Sequence, residues 1–166
     1  CTATEPAFRE REGFKGIKNL VSLVDNPKEL FKQTERVNYF LLKEGKELDT
    51  ENFIDIVSKQ AGSKLIVVNT KKTALRIFNK LISNDNSTHY MFLSTDLCPA
   101  DRKEKIKKIR QKLKNNVIIT LVSTQLIEAG VDFDFPCVYR EIAPMESLIQ
   151  AAGRCNREGK MKDKGK

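Results

Sequence analysis

Two groups of residues in the last third of the chain carry the side chains best suited to chemistry. The first is Ser123-Thr124-Gln125 with Gly130 and Asp132; the second is Gln150 with Gly153, Arg154 and Arg157. Arginines three residues apart on a helix present two guanidinium groups on one face. There they can grip phosphate oxygens bidentately and offset the charge that develops in phosphoryl transfer, which is the geometry of an arginine finger. Gln150, one turn before Arg154, is placed to orient an attacking water or a γ-phosphate. Gly130 permits close backbone approach or positive φ, and Asp132 can accept hydrogen bonds from ribose hydroxyls or hold an arginine. Plainer readings stand beside these. A Gly-x-Asp in a loop is ordinarily a turn, and exposed arginines near a helix C-terminus are favoured simply as cations.

Three hydroxyls form another candidate group. Thr70, Ser94 and Thr124 follow apolar runs and precede helical ones, a position where a side-chain oxygen and free backbone N–H groups can hold a phosphate. Each alone is more often a helix cap. Three in register on one sheet edge favour backbone contacts to a polyanion instead.

These residues need elements that bring them together, and the hydrophobic pattern supplies them. Arg36–Leu42 is dense in β-branched, aromatic and aliphatic residues and predicts a strand. Thr50 is the expected N-cap of a helix with Phe53, Ile54 and Val57 on one face, ended by Gly62. Strands are predicted over 64–69, 90–93, 117–122 and 137–142, and helices over 71–83 and 99–115. A single helical turn is expected over 125–129, and a helix opened by Pro144 should carry Gln150 and both arginines. Strands alternating with helices imply right-handed crossovers and a mainly parallel sheet covered on both faces, a three-layer α/β domain whose ligands sit beyond the carboxyl ends of its strands. Asn69-Thr70, Ser94-Thr95 and Ser123-Thr124 should therefore share one edge.

The 166 residues, 40% apolar, suffice for one domain with a real core. No apolar run reaches the roughly 20 residues of a membrane helix. Cys1, Cys98, Cys137 and Cys155 are scattered without a C-x-x-C pair and the one histidine is His89, so no metal site or disulfide framework is predicted and a reducing cytoplasm fits. The net charge of +8 suits a polyanionic partner without naming one. Much of it lies in 102–114, where Ile106, Ile109 and Leu113 recur at helical spacing, which reads first as a solvated basic helix face. The rest concentrates in 160–166, a basic tail predicted to be disordered.

The segments STQLIEAGVD and Gln150-Ala151-Ala152-Gly153-Arg154-Cys155-Asn156-Arg157 resemble motifs V and VI of the second RecA-like domain of superfamily 2 helicases. The Ala-Ala-Gly-Arg-Cys-Asn-Arg variant is similar to the CRISPR-associated helicase-nuclease family of type I interference systems. Ala151 departs from the arginine common there and removes only that arginine's contact. Cys1-Thr2-Ala3-Thr4 looks like the Ser/Thr-Ala-Thr motif III that closes a first RecA-like domain. The resemblance implies a motif III remnant and interdomain linker over 1–33, a second RecA-like domain over 34–159 and the tail over 160–166, all within a longer polypeptide.

It further implies that Arg154, Arg157 and Gln150 serve catalysis at an interdomain cleft, that Gly130, Asp132 and Gly153 border the nucleotide, and that Thr70, Ser94 and Thr124 touch the backbone of a tracked single strand of DNA. ATP and magnesium would be bound mainly by the first RecA-like domain of the parent, whose partners would be single-stranded DNA and a CRISPR surveillance complex. Gly153-Arg154-Cys155-Asn156-Arg157-Glu158-Gly159-Lys160-Met161 mimics a phosphate-binding loop, but it has one residue too many between its glycines and Met161 where a hydroxyl would meet magnesium. This chain contains no Walker A loop. Two other functions fit the same residues: a non-catalytic nucleic-acid-binding module, and another superfamily 2 motor such as a restriction translocase or an RNA helicase.

Overall fold

The computed structural model describes residues 12–17, 26, 29, 32–42, 48–85, 89–127, 131–161 and 163–166. The motif III-like residues 1–4, and Gly130 with its neighbours 128 and 129, lie outside them. The chain divides into two units, Cys1–Glu35 and Arg36–Lys166. In the first, Glu29, Lys32 and Gln33 lie in a short helix. Asn26 opens it reciprocally: its Oδ1 accepts from the Glu29 backbone N–H at 3.3 Å, and its Nδ2 donates to the Glu29 carboxylate at 3.1 Å.

The second unit alternates helices and strands: α1 (Thr50–Lys59), β1 (Lys64–Val68), α2 (Lys71–Asn84), β2 (His89–Leu93), α3 (Pro99–Lys114), β3 (Ile119–Thr124), a 3-10 turn (Gln125–Ile127), β4 (Cys137–Arg140) and α4 (Met145–Ala152). The strands pair in the order β2-β3-β1-β4, all parallel. Successive residues of β1 face opposite layers. Leu65 and Val67 join Ile119, Leu121, Phe133 and Phe135 under Ile109 of α3, while Ile66 and Val68 meet Ile54 and Val57 of α1 and Ala74, Ile77 and Leu81 of α2. The result is the three-layer α/β arrangement predicted from the alternating pattern. No helix among the described residues is long and apolar enough to cross a membrane.

Four local expectations change. The cap of α1 is Asp49, whose Oδ1 accepts from Glu51 N at 2.8 Å and Asn52 N at 3.2 Å; a carboxylate takes the capping role from the neighbouring hydroxyl. β3 begins and ends later than its apolar run, because Asn116 adopts φ 56° and Ile119 N donates to Ser63 Oγ at 3.1 Å, leaving Ile118 exposed.

The segment Arg36–Leu42 is not a strand. Val37 makes one isolated bridge to Gly165, and Tyr39, Phe40 and Leu41 are 72%, 67% and 65% exposed. Residue type alone makes no strand; a sheet edge must be there to receive it, and here two residues of the tail occupy the place. The last residues, read from composition as disordered, are held on both sides. Gly165 N donates to Arg36 O at 2.9 Å and Asn38 N to Gly165 O at 2.8 Å. Lys166 N donates to Pro136 O at 3.1 Å and Val138 N to Lys166 O at 2.7 Å. Glycine is required there, because a Cβ at Gly165 would overlap Cys155 Sγ and crowd Asn156 Cβ at 3.1 Å.

The cap assignment separates two neighbouring residues. Asp49→Ala should cost about 0.5–2 kcal/mol of stability, whereas Thr50→Ala should stay within about 0.5 kcal/mol. Urea unfolding of both variants, followed by far-UV circular dichroism, measures the contrast.

Candidate functional site

Parallel strands end on the same side, and the register aligns their last residues: Val68 stands beside Thr124, and Leu93 beside Ser123. The polar pairs after β1 and β2 and at the end of β3 thus lie along one edge, as their spacing predicts. Their surroundings differ. Thr70 is exposed and caps α2, its Oγ1 accepting from Thr73 N at 3.0 Å. Ser94 is buried, and its Oγ accepts from Asp96 N at 3.3 Å. Because β3 runs on through Thr124, Ser123 and Thr124 are sheet residues and both are buried. Ser123 Oγ contacts the carbonyls of Leu93 at 2.9 Å and Thr124 at 3.0 Å, while Thr124 Oγ1 has no hydrogen-bond partner among the described residues. Of the three hydroxyls only that of Thr70 stands exposed.

Several charged residues that sequence spacing did not single out hold these loops. Arg102 of α3 donates through Nη2 to the carbonyls of Thr95 at 3.2 Å and Leu97 at 3.1 Å. Lys71 pairs with Asp96, tying the start of α2 to the loop after β2. Between β1 and β4, Arg140 Nη1 donates to Asn69 Oδ1 at 2.7 Å, and Asn69 N donates to the Glu141 carboxylate at 2.6 Å. Asn69 Nδ2 completes the set by donating to Ile142 O at 2.8 Å. Only the position of Arg140 and Glu141 at the end of a predicted strand could have flagged them.

The second group departs from the helical picture. α4 stops at Ala152, so Gln150 lies in its last turn while Arg154 and Arg157 lie in the turns that follow. After the last α-helical bond, from Gly153 N to Ile149 O, tighter bonds end the helix, from Arg154 N to Ala151 O and from Cys155 N to Ala152 O, each 2.9 Å. Asn156 then takes φ 44°, a conformation no α-helix continues. The two arginines consequently face different surroundings. Arg154 is 8% exposed, and its Nε donates to Ile127 O at 3.1 Å. Burial, and then the neighbouring Arg157 charge, push its guanidinium below the ordinary arginine range. Arg157 keeps 41% of its side chain exposed and pairs through Nη2 with Asp132 Oδ1 at 2.9 Å.

The segment from Val131 to Phe135 explains that pairing. Val131, Phe133 and Phe135 are buried, so the intervening Asp132 and Asp134 fall on the opposite side of an extended strand of chain. Phe135 N donates to Arg154 O at 2.9 Å and Asn156 N to Phe135 O at 3.0 Å, which lays the arginine loop along this segment. The structure therefore joins Asp132, Arg154 and Arg157, together with the carbonyl of Ile127 beside the motif V turn. Cys155, within the same loop, has its thiol pushed up to about 12 by burial and by Cys137, which favours the protonated form.

Residues 60–160 match the family model of the C-terminal region of the CRISPR-associated nuclease/helicase Cas3. The chain belongs to this Cas3 family. Both motif regions, the sheet and most of the buried core lie within the match, while the core residues Ile54 and Val57 of α1 precede it. A Haloferax volcanii CRISPR-associated nuclease/helicase Cas3 is 48% identical over 59 residues, 36% of this chain and 6% of the relative. The Streptococcus thermophilus protein of that name is 28% identical over 90% of this chain and 17% of its own length. The chain thus spans less than a fifth of these relatives. Among solved structures, T. fusca Cas3 with ATP superposes with a TM-score of 0.59 at 22% identity, over 71% of this chain and 15% of that one. The shared fold is the RecA-like three-layer domain, here the C-terminal helicase domain of a Cas3-family protein.

Thr124 Oγ1 generates a stability prediction. A buried hydroxyl left unpaired costs about 1–3 kcal/mol, and an apolar side chain of the same shape removes that cost. Thr124→Val should therefore leave the fold at least as stable as wild type and up to about 1 kcal/mol more so, read as an upward shift of the urea midpoint at constant m-value.

Proposed function

We propose that this domain completes the ATPase site of a DNA-translocating helicase of CRISPR interference by supplying Arg157 as the finger that meets the γ-phosphate. The observation that carries the reading is the setting of Arg157. It is the exposed arginine of the pair, on a loop fixed to the core, beside the carboxylate of Asp132 from the first motif. An exposed pair of this kind contributes only about 0–1 kcal/mol, so its guanidinium exchanges one anion for another at little cost. Arg154, bonded to Ile127 O, braces the loop against the motif V turn. Gln150 faces the attacking water, and Asp132, with Gly130 and Gly153, borders the nucleotide.

In this reading, ATP and magnesium are held mainly by the first RecA-like domain of the full-length protein, since this chain has no Walker A loop. Thr70 with the N-terminus of α2, and the backbone around Ser94 and Thr124, line half of a track for single-stranded DNA. Hydrolysis drives movement along that strand after recruitment to a target-bound surveillance complex in the cytoplasm.

Removing an arginine finger costs on the order of 10³ to 10⁵ in rate. Arg157→Ala in the full-length protein should therefore abolish DNA-stimulated ATP hydrolysis while shifting folding stability by no more than about 0.5 kcal/mol. Steady-state turnover and a melting curve measure both. Turnover above about a tenth of wild type, a loss under about 1.4 kcal/mol, removes the finger assignment and favours a nucleic-acid-binding module.

The isolated chain should bind ATP-magnesium poorly and hydrolyse none. Its binding of single-stranded DNA should be weak and fall steeply between low and physiological salt, as backbone-directed contacts do. Calorimetry and a salt series of fluorescence anisotropy test the pair of expectations; tight stoichiometric ATP binding, or salt-insensitive DNA binding, contradicts them.

A further inference from the structure

The main chain of Arg157 is gripped by side chains from distant parts of the sequence. Asp134 Oδ1 accepts from Arg157 N at 2.8 Å, and Oδ2 of the same carboxylate accepts from Glu158 N at 3.2 Å. Arg36 Nη1 donates to the carbonyl of Arg157. Asn156 Nδ2 donates to Arg36 O at 3.2 Å, while Asn156 Oδ1 accepts from Met161 N at 3.3 Å. A turn held only by its own bonds would be free to rock; this one has two successive amides fixed by one carboxylate. Asp134 is in turn fixed by its neighbours, because Phe133 and Phe135 are 1% and 0% exposed and pack edge to face with ring centroids 6.1 Å apart. Asp132 and Asp134, on the same side of the extended segment, therefore hold one residue twice: Asp132 by its guanidinium and Asp134 by its backbone.

We propose that Asp134 is the positioning residue for Arg157, setting where its Cα stands and hence where its guanidinium can reach. The proposal rests on the finger reading above. A finger contributes to the transition state only when its fork meets the phosphoryl oxygens, and a displacement of about 1 Å can cost on the order of 10²-fold in rate. Charge-assisted bonds from two adjacent amides to one carboxylate are stronger than neutral ones and resist that displacement. Asparagine at this position retains an acceptor for Arg157 N but presents a donor to Glu158 N, so it should hold the loop incompletely.

The test uses the full-length protein. Asp134→Ala should lower DNA-stimulated ATP turnover on the order of 10²-fold, and Asp134→Asn should fall between it and wild type. Both should bind ADP with unchanged affinity and stoichiometry while losing affinity for ADP-aluminium fluoride, which mimics the transition state; a merely structural role would not divide the two ligands. Combined with Arg157→Ala, Asp134→Ala should cause no further loss of affinity for ADP-aluminium fluoride, because residues acting through one group are not additive. If Arg157→Ala is inactive but both Asp134 variants turn over like wild type, the positioning role is wrong and the finger reading stands. Turnover by Arg157→Ala near wild type overturns the finger reading itself. Loss of ADP binding together with turnover, or additivity with Arg157→Ala, makes Asp134 structural and overturns the proposal. Should the alanine variant fail to fold, the asparagine variant carries the same comparison.

Discussion

Burial of β1 on both faces is the constraint from which the rest follows. Its five residues are all buried, and the strand sits between β3 and β4, so neither face nor edge of it meets water. A parallel strand in that place requires helices on both sides and crossovers between layers. Once the crossovers share a hand, every strand delivers its carboxyl end to the same edge. The loops that follow β1, β2, β3 and β4 are neighbours for that reason alone, however far apart they are in sequence. Arg140 reaching Asn69, and Lys71 reaching Asp96, are contacts that this topology makes available.

Much of this was legible because it depends on periodicity. The alternation of apolar runs with helical stripes identifies each of the four strands and the helices between them, and the position of Thr70, Ser94 and Thr124 after those runs locates the edge. What sequence could not supply was the local competition among bonds. Asp49 displaces Thr50 as a cap because a carboxylate outbids a hydroxyl for the same amides. Arg36–Leu42 has strand composition, yet the short sheet edge beside β4 is met by Gly165 and Lys166, whose own composition signals nothing. The motif arginines are recognisable in spacing, but the tightened turn after Ala152 and the positive φ of Asn156 beyond it are announced by nothing in the chain's hydrophobic pattern.

That early end divides the labour of the arginine pair. On a continuous helix, Arg154 and Arg157 would share a face and present similar guanidinium groups. In the loop, one turns inward to the carbonyl of Ile127 and the other stays at the surface beside Asp132. The inward arginine connects the two motif regions, and the outward one stays partly exposed in its pair with Asp132. The alternation of Val131, Phe133 and Phe135 with Asp132 and Asp134 supports both, since one side of this segment anchors in the core while the other meets the loop.

The uncovered run Tyr39, Phe40, Leu41 and Leu42 bears on how this domain behaves at high concentration. Four neighbouring residues of strand-forming type, largely exposed and uncharged, resemble the short segments that nucleate intermolecular sheets. They are bounded by Arg36 on one side and by Lys43 and Glu44 on the other, the placement of charged gatekeepers around an unavoidable apolar stretch. A net charge of +8 adds mutual repulsion between molecules, which salt screens over about 10 Å at 0.1 M. The colloidal stability of the domain thus rests on electrostatics guarding one sticky strip, and raising ionic strength weakens that guard while leaving the strip as apolar as before.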